Sequence, residues 1–112
     1  MALSNPDYSE LNYEDMAKEI GLKSKHIPLL IASFLEESEP ILEKLQTAIE
    51  SSDYTTIRGA AHSLKGSAGN LRFNELYKMS REMEFAGAEA NTSFEYGAYL
   101  EAMRKAVATI KV

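Results

Sequence analysis

The stretch Ala61-His62-Ser63-Leu64-Lys65-Gly66-Ser67-Ala68-Gly69 holds the residues of this chain best suited to chemistry. An imidazole of ordinary pKa, about 6.5, is substantially neutral at pH 7, so one ring nitrogen keeps a lone pair able to attack phosphorus. On a helix turning about 100° per residue, His62 lies about 140° from Ile57 and about 160° from Leu64, away from the apolar stripe. Arg58 four residues before it, Lys65 three after and Gly66 four after share that outward face. The two cations suit a site that gains negative charge when phosphorylated. Gly59 and Gly69 flank the patch, although a helical glycine costs roughly 0.8–1 kcal/mol relative to alanine. That cost makes sense where a partner's backbone must come close; for Gly69, the end of a helix is the plainer explanation.

Those residues need a scaffold, and the composition limits it. The chain has 112 residues, 45% of them hydrophobic, which suits one domain spanning 1–112 rather than two. With no cysteine, disulfides, zinc fingers and thiol nucleophiles are excluded. No segment has the roughly 18–20 apolar residues of a membrane span, and the first ten residues do not read as a secretory signal. A cytoplasmic, monomeric protein without membrane contact is expected. A net charge of −5 argues against nucleic acid as a partner. Its distribution is uneven: Tyr54 to Arg81 carries five bases and one acid, +4, which leaves −9 elsewhere. A local basic patch suits an acidic protein surface or a phosphoryl group.

The periodicity is helical throughout, and no alternating run reads as a strand. Asn12 and Gly21 bracket a short helix from Tyr13 to Ile20. A long helical stretch starts near Ser24, with Ile27, Leu30, Ile31, Phe34 and Leu35, then Ile41, Leu42, Leu45 and Ile49 as its apolar positions. Pro40 predicts a kink or break near Glu36 to Pro40, with Ser38 capping the restart. Asp53 is placed to cap a third helix with Ile57, Ala60 or Ala61, Leu64, Ala68 and Leu71 inward. Asn74 can cap a fourth that turns Leu76, Met79, Met83 and Ala86 inward and ends near Gly87. Thr92-Ser93-Phe94-Glu95 reads as a capping box for a last helix carrying Tyr96, Leu100, Met103, Val107 and Ile110. The expected architecture is all-α: an up-and-down four-helix bundle over 24–112 with a short extra N-terminal helix, and a flexible segment over 1–10.

The run from Ala61 to Leu71 resembles the His-x-x-Lys-Gly signature of histidine phosphotransfer (HPt) domains of bacterial phosphorelays, and the bundle architecture agrees. The resemblance implies that His62 is the phosphoacceptor, that Lys65 contacts the phosphoryl group and that Gly66 makes room for a partner. Arg58, Gly69 and Arg72 are further candidates for the partner-facing surface. Members usually place a polar residue of the next helix near the unmodified ring nitrogen, and Glu84 is the candidate here. Many also carry glycine six residues after the motif glycine, where this chain has Arg72. The implied partners are receiver domains of a hybrid sensor kinase or a response regulator. Mg²⁺ is expected on the receiver, and no cofactor on this chain.

Other readings are weaker. No phosphate-cradling Gly-x-x-x-x-Gly-Lys-[Ser/Thr] loop is present, so the chain is expected neither to make phosphohistidine by itself nor to be a kinase. His26 and His62 stand 36 positions apart without a metal-pairing motif. A hydrolase using His62 as base would need a concave pocket, which an outward helix ridge does not supply. The serious competitor is an adaptor of the same shape that binds receiver domains without being phosphorylated.

Overall fold

A computed structural model describes residues 2–112. Five α-helices account for most of them: α1 (Tyr13–Ile20), α2 (Ile27–Glu50), α3 (Tyr54–Asn70), α4 (Asn74–Ala88) and α5 (Tyr96–Thr109). Each of α2 to α5 packs on its neighbours in chain order, and α5 returns to α2, so the four enclose one core while α1 lies against α2. The architecture is the expected four-helix bundle with a short extra helix. Its long dimension is 42 Å, in keeping with a 24-residue helix rising about 1.5 Å per residue.

Local signals set most of the helix ends. Asn12 accepts from the Asp15 amide, and Gly21 closes α1 with a left-handed φ of 87°. Asp53 caps α3 by accepting from the Thr56 amide. At the far end of α3, the Phe73 amide donates to the Ala68 carbonyl and the Arg72 amide to that of Gly69. This is a Schellman closure, and it puts Arg72 at φ 64°, the left-handed region where glycine is ordinary. The family's usual glycine at this place therefore has a backbone reason. Here the Arg72 guanidinium turns back and donates to the Gly69 carbonyl at 2.9 Å, tying up the end of the helix.

Several expectations fail for non-local reasons. Of the kink or break expected near Glu36 to Pro40, no break occurs: α2 runs without interruption from Ile27 to Glu50 with Pro40 inside it. The proline is exposed, while a continuous buried stripe of Ile31, Phe34, Ser38, Leu42 and Leu45 spans its turn and holds both halves on the core. Ser38 caps nothing; it is buried and donates to the Leu35 carbonyl. The stretch Ser24–His26 is a 3-10 turn ahead of α2, and Leu30, expected inward, is exposed. Asn74 is the first residue of α4 rather than its cap. The Thr92–Glu95 capping box does not form; Asn91 organises that turn, taking the Ser93 amide on its side chain and the Tyr96 hydroxyl on its carbonyl.

The expected flexible segment over 1–10 is, from residue 2 onward, packed on the bundle; residue 1 lies outside the described residues. Tyr8 is buried, with its ring 4.6 Å from that of Phe73. Its amide donates to Thr109 Oγ1, and its hydroxyl donates to Glu75 and accepts from the Leu76 amide. Upstream, the Ala2 amide donates to Glu82. A single aromatic side chain thus anchors a segment that is otherwise poor in apolar residues.

The feature that matters most for the site is how closely α3 and α4 approach. They run antiparallel, with Gly69 facing Tyr77, His62 facing Glu84, and Tyr54 to Arg58 facing Gly87. A Cβ on Gly87 would lie 3.1 Å from the Arg58 amide nitrogen and 3.2 Å from the Tyr54 carbonyl oxygen, backbone atoms that cannot easily yield. A Cβ on Gly66 would meet nothing within 4 Å. The two glycines therefore act oppositely. We expect Gly87→Ala to lower stability by about 1–2 kcal/mol through overpacking, while Gly66→Ala raises it by about 0.5–1 kcal/mol through helix propensity. Chemical denaturation of the two variants checks the opposite signs. Tyr8→Ala should cost about 2–3 kcal/mol, since it removes a buried ring and its hydrogen bonds; an unchanged midpoint would contradict the packing of residues 2–10.

Candidate functional site

His62 sits mid-way along α3, on the side opposite the buried Ile57, Ala60, Ala61, Leu64 and Ala68. Its side chain is 65% exposed. One ring nitrogen is nevertheless committed: Nδ1 lies 2.8 Å from Oε2 of Glu84, across the α3–α4 interface. The other carboxylate oxygen, Oε1, is shielded from solvent and meets the Lys65 ammonium at 2.7 Å. One carboxylate therefore bridges two side chains that stand almost a turn apart on the facing helix.

The charge state of Glu84 decides the tautomer of His62. Only 12% of the Glu84 side chain is exposed, and that burial opposes ionisation. Hydrogen bonds and charge from Lys65 and His62 outweigh the burial and hold the carboxyl below the ordinary glutamate value. An ionised carboxylate can only accept hydrogen bonds, so Nδ1 carries the proton. Nε2 is then the nitrogen with the free lone pair. The arrangement can present a neutral, oriented imidazole nucleophile to a surface that approaches from outside.

The remaining sequence candidates fall into distinct places. Arg58 is exposed and shares a shallow depression with Thr55, Gly59, His62 and Glu84. Gly66 is exposed, with open space above its Cα. Gly69, expected to face a partner, uses its missing side chain inside the fold, because a Cβ there would come 3.2 Å from the Tyr77 ring. Arg72 lies beyond the helix end with its guanidinium folded back on α3 carbonyls. Lys65, expected to be free for a phosphoryl group, is only 21% exposed and rests on Glu84.

Two features escaped sequence reasoning. Gly87 sets the α3–α4 distance that lets Glu84 reach His62; its signal was a glycine four residues after the inward-facing Met83. Beside the histidine face, a groove is lined by Leu22 and Leu30 at one edge and by Ser67, Asn70 and Arg72 at the other, over Phe34 and Leu71. Both leucines are exposed, and Leu30 is one that periodicity had assigned to the core.

No helix among the described residues is long and apolar enough to cross a membrane. Searches among curated proteins and among solved structures each returned no match. A family model described as "Hpt domain" matches residues 29–110, which takes in α3, α4, α5 and nearly all of α2. The match contains His62, Lys65, Gly66 and Glu84, the residues that meet or border the exposed imidazole. The chain belongs to the Hpt domain family, phosphocarriers of two-component phosphorelays that interact with receiver domains.

Proposed function

We propose that His62 is the phosphoacceptor of this chain, taking a phosphoryl group from a receiver-domain aspartate and passing it to a second receiver. The observation that carries this reading is the exposed side chain whose Nδ1 is tied to Glu84, which leaves Nε2 as the uncommitted ring nitrogen. In the forward step the Nε2 lone pair attacks phosphorus in line. The N–P bond forms as the bond from phosphorus to the aspartate oxygen breaks, and the aspartate leaves as a carboxylate. No proton has to move, because Nδ1 keeps its own. Positive charge develops on the ring, and the ionised Glu84 beside Nδ1–H stabilises it where it appears. Transfer to the next receiver is the same step in reverse.

Because His62 and Gly66 lie on an open ridge, the chain's own contribution is orientation and a poised nitrogen. The receiver is expected to supply Mg²⁺ to neutralise charge on the transferring group. Arg58 on one side and the exposed Leu22 and Leu30 at the groove would flank the docked partner. The protein acts as a cytoplasmic monomer between the receivers of a hybrid sensor kinase and a response regulator.

Incubation with a receiver domain charged by acetyl phosphate tests the assignment. Acid-labile label should appear on the wild-type chain and disappear in His62→Gln. A wild-type chain that binds receivers yet never takes label would make it the adaptor instead. Gly66→Glu should slow transfer by about tenfold or more, with helicity retained, since its side chain projects into the space a docked surface needs. Normal transfer by that variant would remove the close-approach role of Gly66.

A further inference from the structure

Arg72 occupies a strained backbone position that its side chain is not needed to close. Its φ of 64° lies in the left-handed region, where glycine or asparagine is the ordinary choice. The Gly69 carbonyl already accepts the Arg72 amide at 3.1 Å, so the helix end is satisfied by the main chain. The guanidinium only adds a second donor, Nη1, to that same oxygen at 2.9 Å, with a long contact of 3.5 Å to the Asn70 carbonyl. Nε and Nη2 bond to nothing among the described residues, and none of the described carboxylates stands within 4 Å of the cation. We propose that Arg72 is a selectivity residue of the docking surface: the open edge of its guanidinium takes a carboxylate that borders an apolar ridge of the receiver, and the ridge seats in the adjoining groove.

The groove sets the chemistry of that occupant. Phe34 and Leu71 lie beneath it and the exposed Leu22 and Leu30 edge it, so it suits aliphatic or aromatic side chains. Glu37, the acid that lines it, accepts from the Ser67 hydroxyl at 3.4 Å and repels a second carboxylate. An acid on the partner is therefore admitted at the Arg72 end, where Nε and Nη2 can hold it bidentately. The excess of bases from Tyr54 to Arg81 favours an acidic surface of this kind. The groove is also continuous with the histidine face, since Ser67 follows Gly66 on α3. Arg72 lies beyond His62 by roughly 15 Å along the axis, at 1.5 Å per residue. An interface of ordinary size covers about 800 Å² of each partner, a patch about 16 Å in radius. A receiver centred on His62 thus reaches Arg72.

Asparagine tolerates the left-handed region without charge, so Arg72→Asn keeps the helix end and removes the cation. With a receiver charged by acetyl phosphate, this variant should raise KM about fivefold or more and change kcat by less than about twofold. The difference from wild type should shrink at high salt. Arg72→Gly should hold or raise the denaturation midpoint while showing the same rise in KM. An unchanged KM in both variants, or a loss confined to kcat, would overturn the proposal.

Two further measurements separate selectivity from general weakening. Across the receiver domains of the source organism, Arg72→Asn should narrow the gap in kcat/KM between the best partner and the rest; an equal loss with every receiver overturns the assignment. Arg72→Glu should weaken the best pair further, and lysine in place of one exposed acid of that receiver should restore it; failure of every such reversal has the same consequence. These kinetic arms rest on the phosphocarrier reading, whereas calorimetric titration with uncharged receivers does not. Weaker binding by Arg72→Asn in that titration, with no label ever reaching His62, would leave Arg72 assigned and overturn the phosphocarrier reading alone.

Discussion

The approach of α3 to α4 is the constraint on which the site depends. A carboxylate on one helix can reach two residues of the next only if the backbones lie close, and glycines permit this at both ends of the contact. Gly69 receives the Tyr77 ring, and Gly87 admits the backbone of Tyr54 to Arg58. Between them the buried positions of α3 include Ala60, Ala61 and Ala68, so the facing side chains are short. A bulkier helix pair would hold Glu84 away from the imidazole and leave the ring without a preferred tautomer.

Within that contact, exposure is divided to suit each residue's task. His62 is mostly open to solvent, whereas Glu84 is largely covered and Lys65 is nearer to Glu84 than to His62 in accessibility. Partial burial strengthens the electrostatic interactions of the carboxylate, because less water screens them. It also fixes the rotamers of both anchoring side chains, so the ring is oriented before any partner arrives. Of the three, His62 alone projects from the surface.

Much of this was legible in the chain because the signals were local. Asn12, Gly21 and Asp53 act within one turn of themselves, and the three-and-four spacing of Ile57, Leu64 and Ala68 sets which side His62 faces. The misreadings concern long-range packing. Pro40 carries a strong local rule against helix, yet it is exposed on a helix whose buried stripe runs past it. Tyr8 anchors the first residues through contacts with Phe73, Glu75 and Thr109, none of which its neighbours in sequence announce. The attachment of Lys65 to Glu84 depends on the register of α3 against α4, which spacing along α3 alone does not contain. Even the choice between Ala60 and Ala61 dissolves in three dimensions, since both are buried.

The bare stretch of α3 around Gly59 and Gly66 has an effect on selectivity. A surface that seats there meets main chain at the two glycines, whose contour is nearly the same whatever the sequence, and between them only the exposed side chains of His62 and Ser63, few groups with which to tell one visitor from another. Such a centre is permissive by construction. Discrimination must then come from the periphery, where Leu22 and Leu30 on one flank and Arg58 on another offer shape and charge that differ from place to place. A carrier organised in this way can exchange its set of correspondents by altering the border and leave the reactive middle untouched.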